Sequence, residues 1–381
     1  MNSTYYGEAI AVSKQGLRAA GGSADKSVNQ KIASQVQPGE LIIEEVLGRG
    51  ACSEVKRATH RRTGEVYVVK CFNMFDKDKR AMLMKEVKFL LDIDCQTIVK
   101  WFGTYMDHDD QVNVVLEFMD RGSVEDLVKH CRRNRVPIPE QVLAAMAFQI
   151  IWGLGYLNCE SLMHRDIKGG NILLNSQGEV KITDFGISRK LDDTDAKSDG
   201  DQRMASTVVG TKTYMSPERL EGKRYDDSAD IWSLGIILVE AVTGNHPLIR
   251  CRNEVELLTT CTECASGTLA EIIDQGNMSD ELVQLISWCL TVDPRHRARA
   301  GDILKGEVSW FDYHIGNTAD KEAKLSMAVD IVADWLTRYV SDYRGPTASA
   351  APKGGAAEGK SNKEIDDKMN LESWGGESDS D

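Results

Sequence analysis

The sequence predicts an α+β protein in two lobes, a small β-rich one followed by a larger helical one. Three observations predict it. Short β-rich runs crowd the stretch after residue 40: Leu41-Ile42-Ile43, Val66-Tyr67-Val68-Val69-Lys70, Ile98–Tyr105 and Gln111–Glu117. Beyond them, Leu143, Met146, Ile150, Leu154 and Leu157 recur at helical spacing, and Asp230–Val239 is almost wholly apolar, as a buried helix is. Within that second region lies a polar constellation, His164-Arg165-Asp166-Ile167-Lys168-Gly169-Gly170-Asn171, followed by Asp184-Phe185-Gly186.

Composition narrows the class. A chain of 381 residues exceeds one core and suggests about two lobes or domains plus tails. The hydrophobic fraction, 41%, suits a globular protein. No run of about eighteen apolar residues occurs, so no membrane span is expected. Residues 1–22 contain no apolar core of a secretory signal, and position 2 is Asn, not the Gly that myristoylation needs. Nine cysteines without framework spacing fit free thiols in a cytoplasmic setting. Cys251, Cys261 and Cys264 include one C-x-x-C, but no second metal-binding pair follows, so ordinary cysteines are favoured over zinc. The net charge of −13 argues against nucleic acid as a partner.

In chain order, residues 1–38 are polar, Gly/Ser/Gln-rich and expected to be flexible, with Lys14 and Arg18 flanking Leu17. The first strand run leads into Gly48-Arg49-Gly50-Ala51-Cys52-Ser53-Glu54-Val55, a G-x-G-x-x-S-x-V loop whose glycines let backbone N–H groups approach a phosphate. Alone it would be an ordinary hairpin. Its value comes from Lys70, at the end of the next β-rich run. A helix is predicted over Lys79–Leu91, with Met82, Val87, Leu90 and Leu91 along one face and Glu86 on it. Two strands follow, and Leu116–Ser123 is a strand end running into a Gly-containing link. The helix Pro139–Asn158 starts on a first-turn proline. Asn171–Leu174 and Glu179–Ile182 read as short strands about the turn Ser176-Gln177-Gly178, which would deliver Asp166 and Asp184 to one cleft. Leu191–Gln202 is acidic and turn-rich, and expected to be mobile; Ser206 and Thr207 lie beyond it. Residues 320–343 form another amphipathic helix, with Leu325, Ala328, Val332, Trp335, Leu336 and Tyr339 on one face. Residues 345–381 are expected to be a disordered acidic tail.

His164–Asn171 matches the catalytic loop H-R-D-x-x-x-x-N, and Asp184–Gly186 matches D-F-G. With Gly48–Val55, Lys70 and Ser216-Pro217-Glu218 in the expected order, residues 41–312 resemble eukaryotic protein kinases throughout. The resemblance implies a bilobal kinase fold with a domain at 39–312: N-lobe 39–117, hinge 117–123 and C-lobe 124–312. A helical extension at 313–344 would precede the tail. It implies ATP and Mg²⁺ as cofactors, with Asn171 and Asp184 holding the metal. Asp166 would accept the proton of the attacking hydroxyl, Lys168 would offset phosphoryl charge, and Thr211 would bond between them. Lys70 would contact the α- and β-phosphates and pair with Glu86. The ATP pocket would comprise Leu47, Gly48, Gly50, Val55, Val68, Lys70, Leu116 as gatekeeper, the backbone of Glu117 and Met119, Leu173 as floor, and Asp184. Asp230 would cap the catalytic-loop backbone. Arg297, in Asp293-Pro294-Arg295-His296-Arg297, would pair with buried Glu218. Leu90, Trp101, Phe185 and His164 would stack as an apolar column between the lobes.

Within that group, Gly210-Thr211-Lys212-Thr213-Tyr214-Met215-Ser216-Pro217-Glu218-Arg219-Leu220 and the hinge Glu117–Ser123 resemble the MAP kinase kinases. Val329–Leu336 is similar to the segment by which that family docks upstream kinases. The resemblance implies dual-specificity phosphorylation of Thr and Tyr in a MAP kinase activation loop, with an upstream MAP kinase kinase kinase engaging residues 325–340. Thr207, or Ser206, is the expected phosphorylation site, and its phosphate would pair with Arg165. The usual first site falls on Arg203 or Asp201, and the loop carries extra acidic residues, so the expectation is activation by a single phosphate or partial constitutive mimicry of one by the acidic insert 191–202. The alternatives are a Ser/Thr kinase further up such a cascade and, from another class, a pseudokinase scaffold. The scaffold would predict loss of Lys70, Asp166, Asn171 or Asp184, and all four are present.

Overall fold

The computed structural model describes residues 5–6, 10–13, 16–19, 35–49, 53–72, 87, 90–91, 93–107, 111–184, 189–190, 212–263, 278–306 and 308–345. Three short strands open the chain: β1 (Tyr5–Tyr6), β2 (Ile10–Ser13) and β3 (Gly16–Ala19), an antiparallel sheet in that order. These strands lie within the segment 1–38 that is expected to be mostly flexible. The physical reason for the strands is local. Ile10-Ala11-Val12 and Leu17 supply β-branched and apolar residues, and the two runs are only two residues apart, a hairpin spacing. Strands β2 and β3 lie against a strand of the main sheet.

That main sheet is antiparallel, in the order β4 (Leu41–Arg49), β5 (Ser53–His60), β6 (Val66–Phe72), β8 (Val112–Glu117), β7 (Trp101–Met106). Alternation sorts its residues. Leu41, Ala58, Tyr67, Val69, Cys71, Tyr105 and Val115 pack together on one face. Trp101, Met106, Val112, Val114 and Leu116 join the main core on the other, with Val87, Leu90 and Leu91, the described residues of the expected helix. Val36 N–H donates to Phe102 O at 2.7 Å, tying the chain's entry to β7.

The second lobe is built on two buried helices. Helix α1 (Val124–Asn134) is capped by Ser123, whose hydroxyl accepts from Asp126 N. Helix α2 (Glu140–Cys159) begins after Pro139 as expected. By length and composition α2 could cross a membrane, but most of it is buried inside the protein. Strands β9 (Leu162–Met163), β10 (Ile172–Leu174), β11 (Val180–Ile182) and β12 (Arg189–Lys190) pair as two ribbons, β10 with β11 and β12 with β9. Helix α3 (Pro217–Leu220) precedes α4 (Ser228–Thr243), of which all but three residues are buried. Helices α5 (Glu254–Glu263), α6 (Asp280–Cys289), α7 (Ala300–Lys305) and α8 (Ser309–His314) follow. Cys251 and Cys261 are buried thiols in this core, and Cys251 Sγ reaches Thr260 Oγ1 at 3.6 Å.

The expected helix at 320–343 is α9 (Lys321–Tyr339), packed on α2. Leu325, Ala328, Val332, Trp335 and Leu336 are buried by that packing, whereas Tyr339 is 63% exposed and leaves the shared face. The apolar face of the expected docking segment 325–340 is therefore used inside the domain. A partner there would meet Met327, Asp330, Asp334, Arg338 and Tyr339.

Candidate active site

The register of the main sheet sets residues of the expected ATP pocket opposite one another. Gly48 lies opposite Val55, Val55 opposite Lys70, and Val68 opposite Leu116. Period two puts Val68 and Lys70 on the face away from Tyr67 and Val69. Leu47 is half-buried on β4. Lys70 is buried, and its Nζ meets Asp184 Oδ1 at 2.8 Å, from a residue 114 positions away in sequence.

The segment after β8 connects the lobes. Gly122 N–H donates to Met119 O at 3.2 Å, Leu174 N–H to Gly122 O at 2.8 Å, and Ser123 bridges to Leu173. Leu173 thus lies one backbone bridge from the hinge, and Leu116 and Met119 are buried beside it in the same core. The Glu117 carboxylate accepts from the buried Lys181 Nζ at 2.7 Å and from Lys100 N–H at 3.1 Å. It therefore ties the hinge to β11, the strand that ends just before Asp184.

The loop His164–Asn171 is held from beneath. Asp230, in the first turn of α4, accepts from His164 N–H at 2.8 Å and Arg165 N–H at 2.9 Å. His164 is completely buried. Its Nδ1 lies 3.3 Å from Asp166 N–H, and its Nε2 lies 2.9 Å from Thr183 O. The backbone donor at Nδ1 places the ring proton on Nε2. Burial holds the imidazole pKa below its usual value, so the ring stays neutral. Arg165 and Asp184 both adopt positive φ, 70° and 67°, a strained conformation for residues other than glycine.

Two donors converge on one carboxylate oxygen. Lys168 Nζ and Asn171 Nδ2 each reach Asp166 Oδ2 at 2.8 Å, and Asn171 Nδ2 also donates to Asp166 O at 2.7 Å. With its NH₂ committed, Asn171 offers its amide oxygen outward. Thr183 N–H donates to Asn171 O at 3.0 Å, which keeps Asn171 beside the residue preceding Asp184. The closing pair is also formed. Arg297 grips Glu218 through two hydrogen bonds of 2.7 and 2.9 Å, both residues being buried. Burial alone would raise the Glu218 pKa, but Arg297 outweighs it and holds the carboxyl below its usual range.

Residues 41–311 match the family model for the protein kinase domain. The chain belongs to the protein kinase family. This kinase is 36% identical over 283 residues to mitogen-activated protein kinase kinase 3 of Arabidopsis thaliana, a match covering 74% of the chain and 52% of that relative. It is 33% identical over 276 residues to mitogen-activated protein kinase kinase 2 of the same plant, covering 71% of the chain and 72% of the relative. It is also 34% identical over 286 residues to serine/threonine-protein kinase dst1 of Dictyostelium discoideum, covering 74% of the chain and 37% of the relative. The chain thus spans about half the length of one of these relatives and about a third of another.

In this kinase the Lys70–Asp184 pair and the Asp166–Lys168–Asn171 cluster are linked through the Thr183–Asn171 hydrogen bond, and Val68 faces Leu116 across the main sheet. Glu86, Gly50, Phe185, Ser206, Thr207 and Thr211 lie outside the described residues, as does Cys264. Of the expected column, Leu90, Trp101 and His164 are buried. Sequence reasoning missed the Lys70–Asp184 pair, because both residues already had other expected partners. It also missed Lys181, whose alternation on β11 could have marked an inward-facing cation opposite an acidic hinge.

Proposed function

We propose that this kinase transfers the γ-phosphoryl group of ATP to Thr and Tyr in the activation loop of a MAP kinase. The phosphotransfer reading is supported by the Lys70–Asp184 pair and the Asp166–Lys168–Asn171 cluster, which the Thr183–Asn171 hydrogen bond brings near each other. The donor set fits a hard divalent ion: one carboxylate, one amide oxygen, and phosphate oxygens of the nucleotide. Asn171 and Asp184 would hold Mg²⁺, which when bound offsets phosphate charge. Lys70 orients the α- and β-phosphates, and the backbone of Glu117 and Met119 receives the adenine edge. Both donors to Asp166 occupy Oδ2, so Oδ1 takes the proton of the attacking hydroxyl. Lys168 then stands beside the developing charge. Asp230 and the neutral His164 keep the loop rigid, so little reorganisation accompanies transfer.

The MAP kinase substrate and an upstream MAP kinase kinase kinase are supported by the likeness to plant MAP kinase kinases and by the Gly210–Leu220 segment. Thr207 would carry the activating phosphate, and the seven described cysteines, all free thiols, support a cytoplasmic setting. The likeness to dst1 favours a second reading, a Ser/Thr kinase further up a cascade.

One experiment separates them. The full-length protein is incubated with ATP and either a folded MAP kinase or a generic Ser/Thr peptide, and phosphorylation is read site by site. We expect Thr and Tyr of the MAP kinase loop to be modified together. Peptide phosphorylation without the paired modification favours the second reading. Asp166→Asn should lower turnover by about 10²–10⁴-fold with nucleotide binding retained. Equal turnover in that variant would remove Asp166 from the chemistry, and absence of ATP binding in the parent would sink the enzyme reading.

A further inference from the structure

The hinge carries a cation that the cleft does not use. Arg121 lies two residues beyond Met119 and is 7% exposed. Its guanidinium turns away from the cleft to the end of α9. There it donates to Val340 O at 3.2 Å, Ser341 O at 3.4 Å and Tyr343 O. Its Nε faces Asp120 Oδ2 at 3.7 Å.

Carbonyls at a helix end lack intrahelical donors and carry the negative end of the helix dipole. A buried guanidinium is tolerated only where acceptors are supplied. Each partner therefore needs the other: without segment 340–345, Arg121 would be a buried charge facing no acceptor but Asp120.

The same segment presses on the hinge backbone. Gly345 N–H reaches Asp120 O at 3.4 Å, and a Cβ on Gly345 would come within 2.6 Å of Gly122 N. Asp120 in turn accepts from Ser176 N–H at 2.7 Å, and Arg121 N–H donates to Leu174 O at 3.0 Å. The β10–β11 turn is held by α9 as well. Gly178, at φ 86°, packs so closely that a Cβ would meet Val329 O at 2.2 Å. Two separate contacts thus join the C-terminal extension to the hinge and to the β10–β11 turn that is hydrogen-bonded to it.

We propose that Arg121 is a positioning residue for the nucleotide, and that segment 340–345 is a strap that holds the hinge in its binding geometry through it. The inference rests on the kinase reading above. It makes the C-terminal extension a determinant of nucleotide affinity, separate from any partner it meets on its exposed side. A hinge containing Gly122 at φ 66° has backbone freedom of its own, and the strap restricts it.

The test uses the full chain. Binding of MgADP is measured by calorimetry, and KM for ATP and kcat are measured on whichever acceptor the parent phosphorylates. Arg121→Ala should weaken MgADP binding about tenfold, equivalent to about 1.4 kcal/mol, and raise KM for ATP in parallel while kcat changes by less than about twofold. Arg121→Lys should recover part of the loss, since it restores a cation but not a fork. Gly345→Val, which lifts the strap without touching the cation, should shift binding in the same direction. In the parent, amides of 118–122 and 341–345 should exchange hydrogen as one unit.

A merely structural arginine would lower thermal stability with nucleotide affinity unchanged, and that result overturns the proposal. If Arg121→Ala fails to fold, Gly345→Val and the exchange measurement decide, independent exchange of the two segments overturning it. A parent that binds no MgADP overturns the kinase reading and this inference together. A parent that binds, with both variants equal to it, overturns this inference alone.

Discussion

At His246 the imidazole stands edge-on to Tyr214, ring centroids 4.5 Å apart, with Nε2 3.1 Å from Thr213 Oγ1. Burial pushes its pKa down to about 4, against a smaller upward pull from Glu125. The unfolded chain takes up this proton near pH 6.5, and the folded one only near 4. Protons therefore favour unfolding across that window, and the neutral ring costs nothing above it. We expect the unfolding free energy to fall as pH drops from about 6.5 to 4, by at most about 3 kcal/mol from this residue. His246→Gln should flatten the slope, and an unchanged slope would refute the assignment. His164 leans the same way, its protonated form disfavoured by complete burial. At this scale the site was legible where one residue type serves one chemistry. Asp166, Lys168, Asn171 and Asp184 could be named from motif spacing. The acceptor of Lys70 could not, because a lysine's reach is decided by which carboxylate the fold brings to 2.8 Å.

Among elements, Glu218 of α3 and Arg297 of the loop before α7 show how a short helix is anchored. Arg297 also donates to Thr291 O at 2.8 Å, Val292 O at 3.1 Å and Ser228 O at 3.3 Å, so one guanidinium joins α3, α4 and the end of α6. Removing only the carboxylate leaves that charge buried. Glu218→Ala should destabilise by about 3–5 kcal/mol in urea unfolding, whereas an apolar replacement of both partners should recover much of the loss. A double variant no better than the single one would contradict this account. The helices α2 and α4 were legible because an almost unbroken apolar run of that length has to be buried, and both are buried within the protein. Helix α9 was legible as a helix but misread in its outer turn. Periodicity placed Tyr339 on the inner face, yet within the helix that face is buried only as far as Leu336, and Tyr339 is turned outward. Strands β1–β3 were missed because four-residue runs in a polar segment carry little periodic signal.

For the whole molecule, two lobes were legible because composition changes sharply at the hinge. The way in which the extension α9 returns to that hinge was not. It depends on the 219-residue separation between Arg121 and Val340, which no local pattern reports. The sheet of the first lobe has a further consequence. Its order leaves β4 and β7 as the outermost strands, and β7 is met by Val36 and by β2 and β3. An outermost strand left bare is a template on which another chain can add a strand. The first residues of this protein cover that edge, which predicts that they restrain self-association through β7. A version starting at Pro38 should show concentration-dependent oligomers in light scattering where the full chain does not, and equal behaviour of the two would dismiss the restraint. A segment with little periodic signal in the sequence is the one laid along the β7 edge.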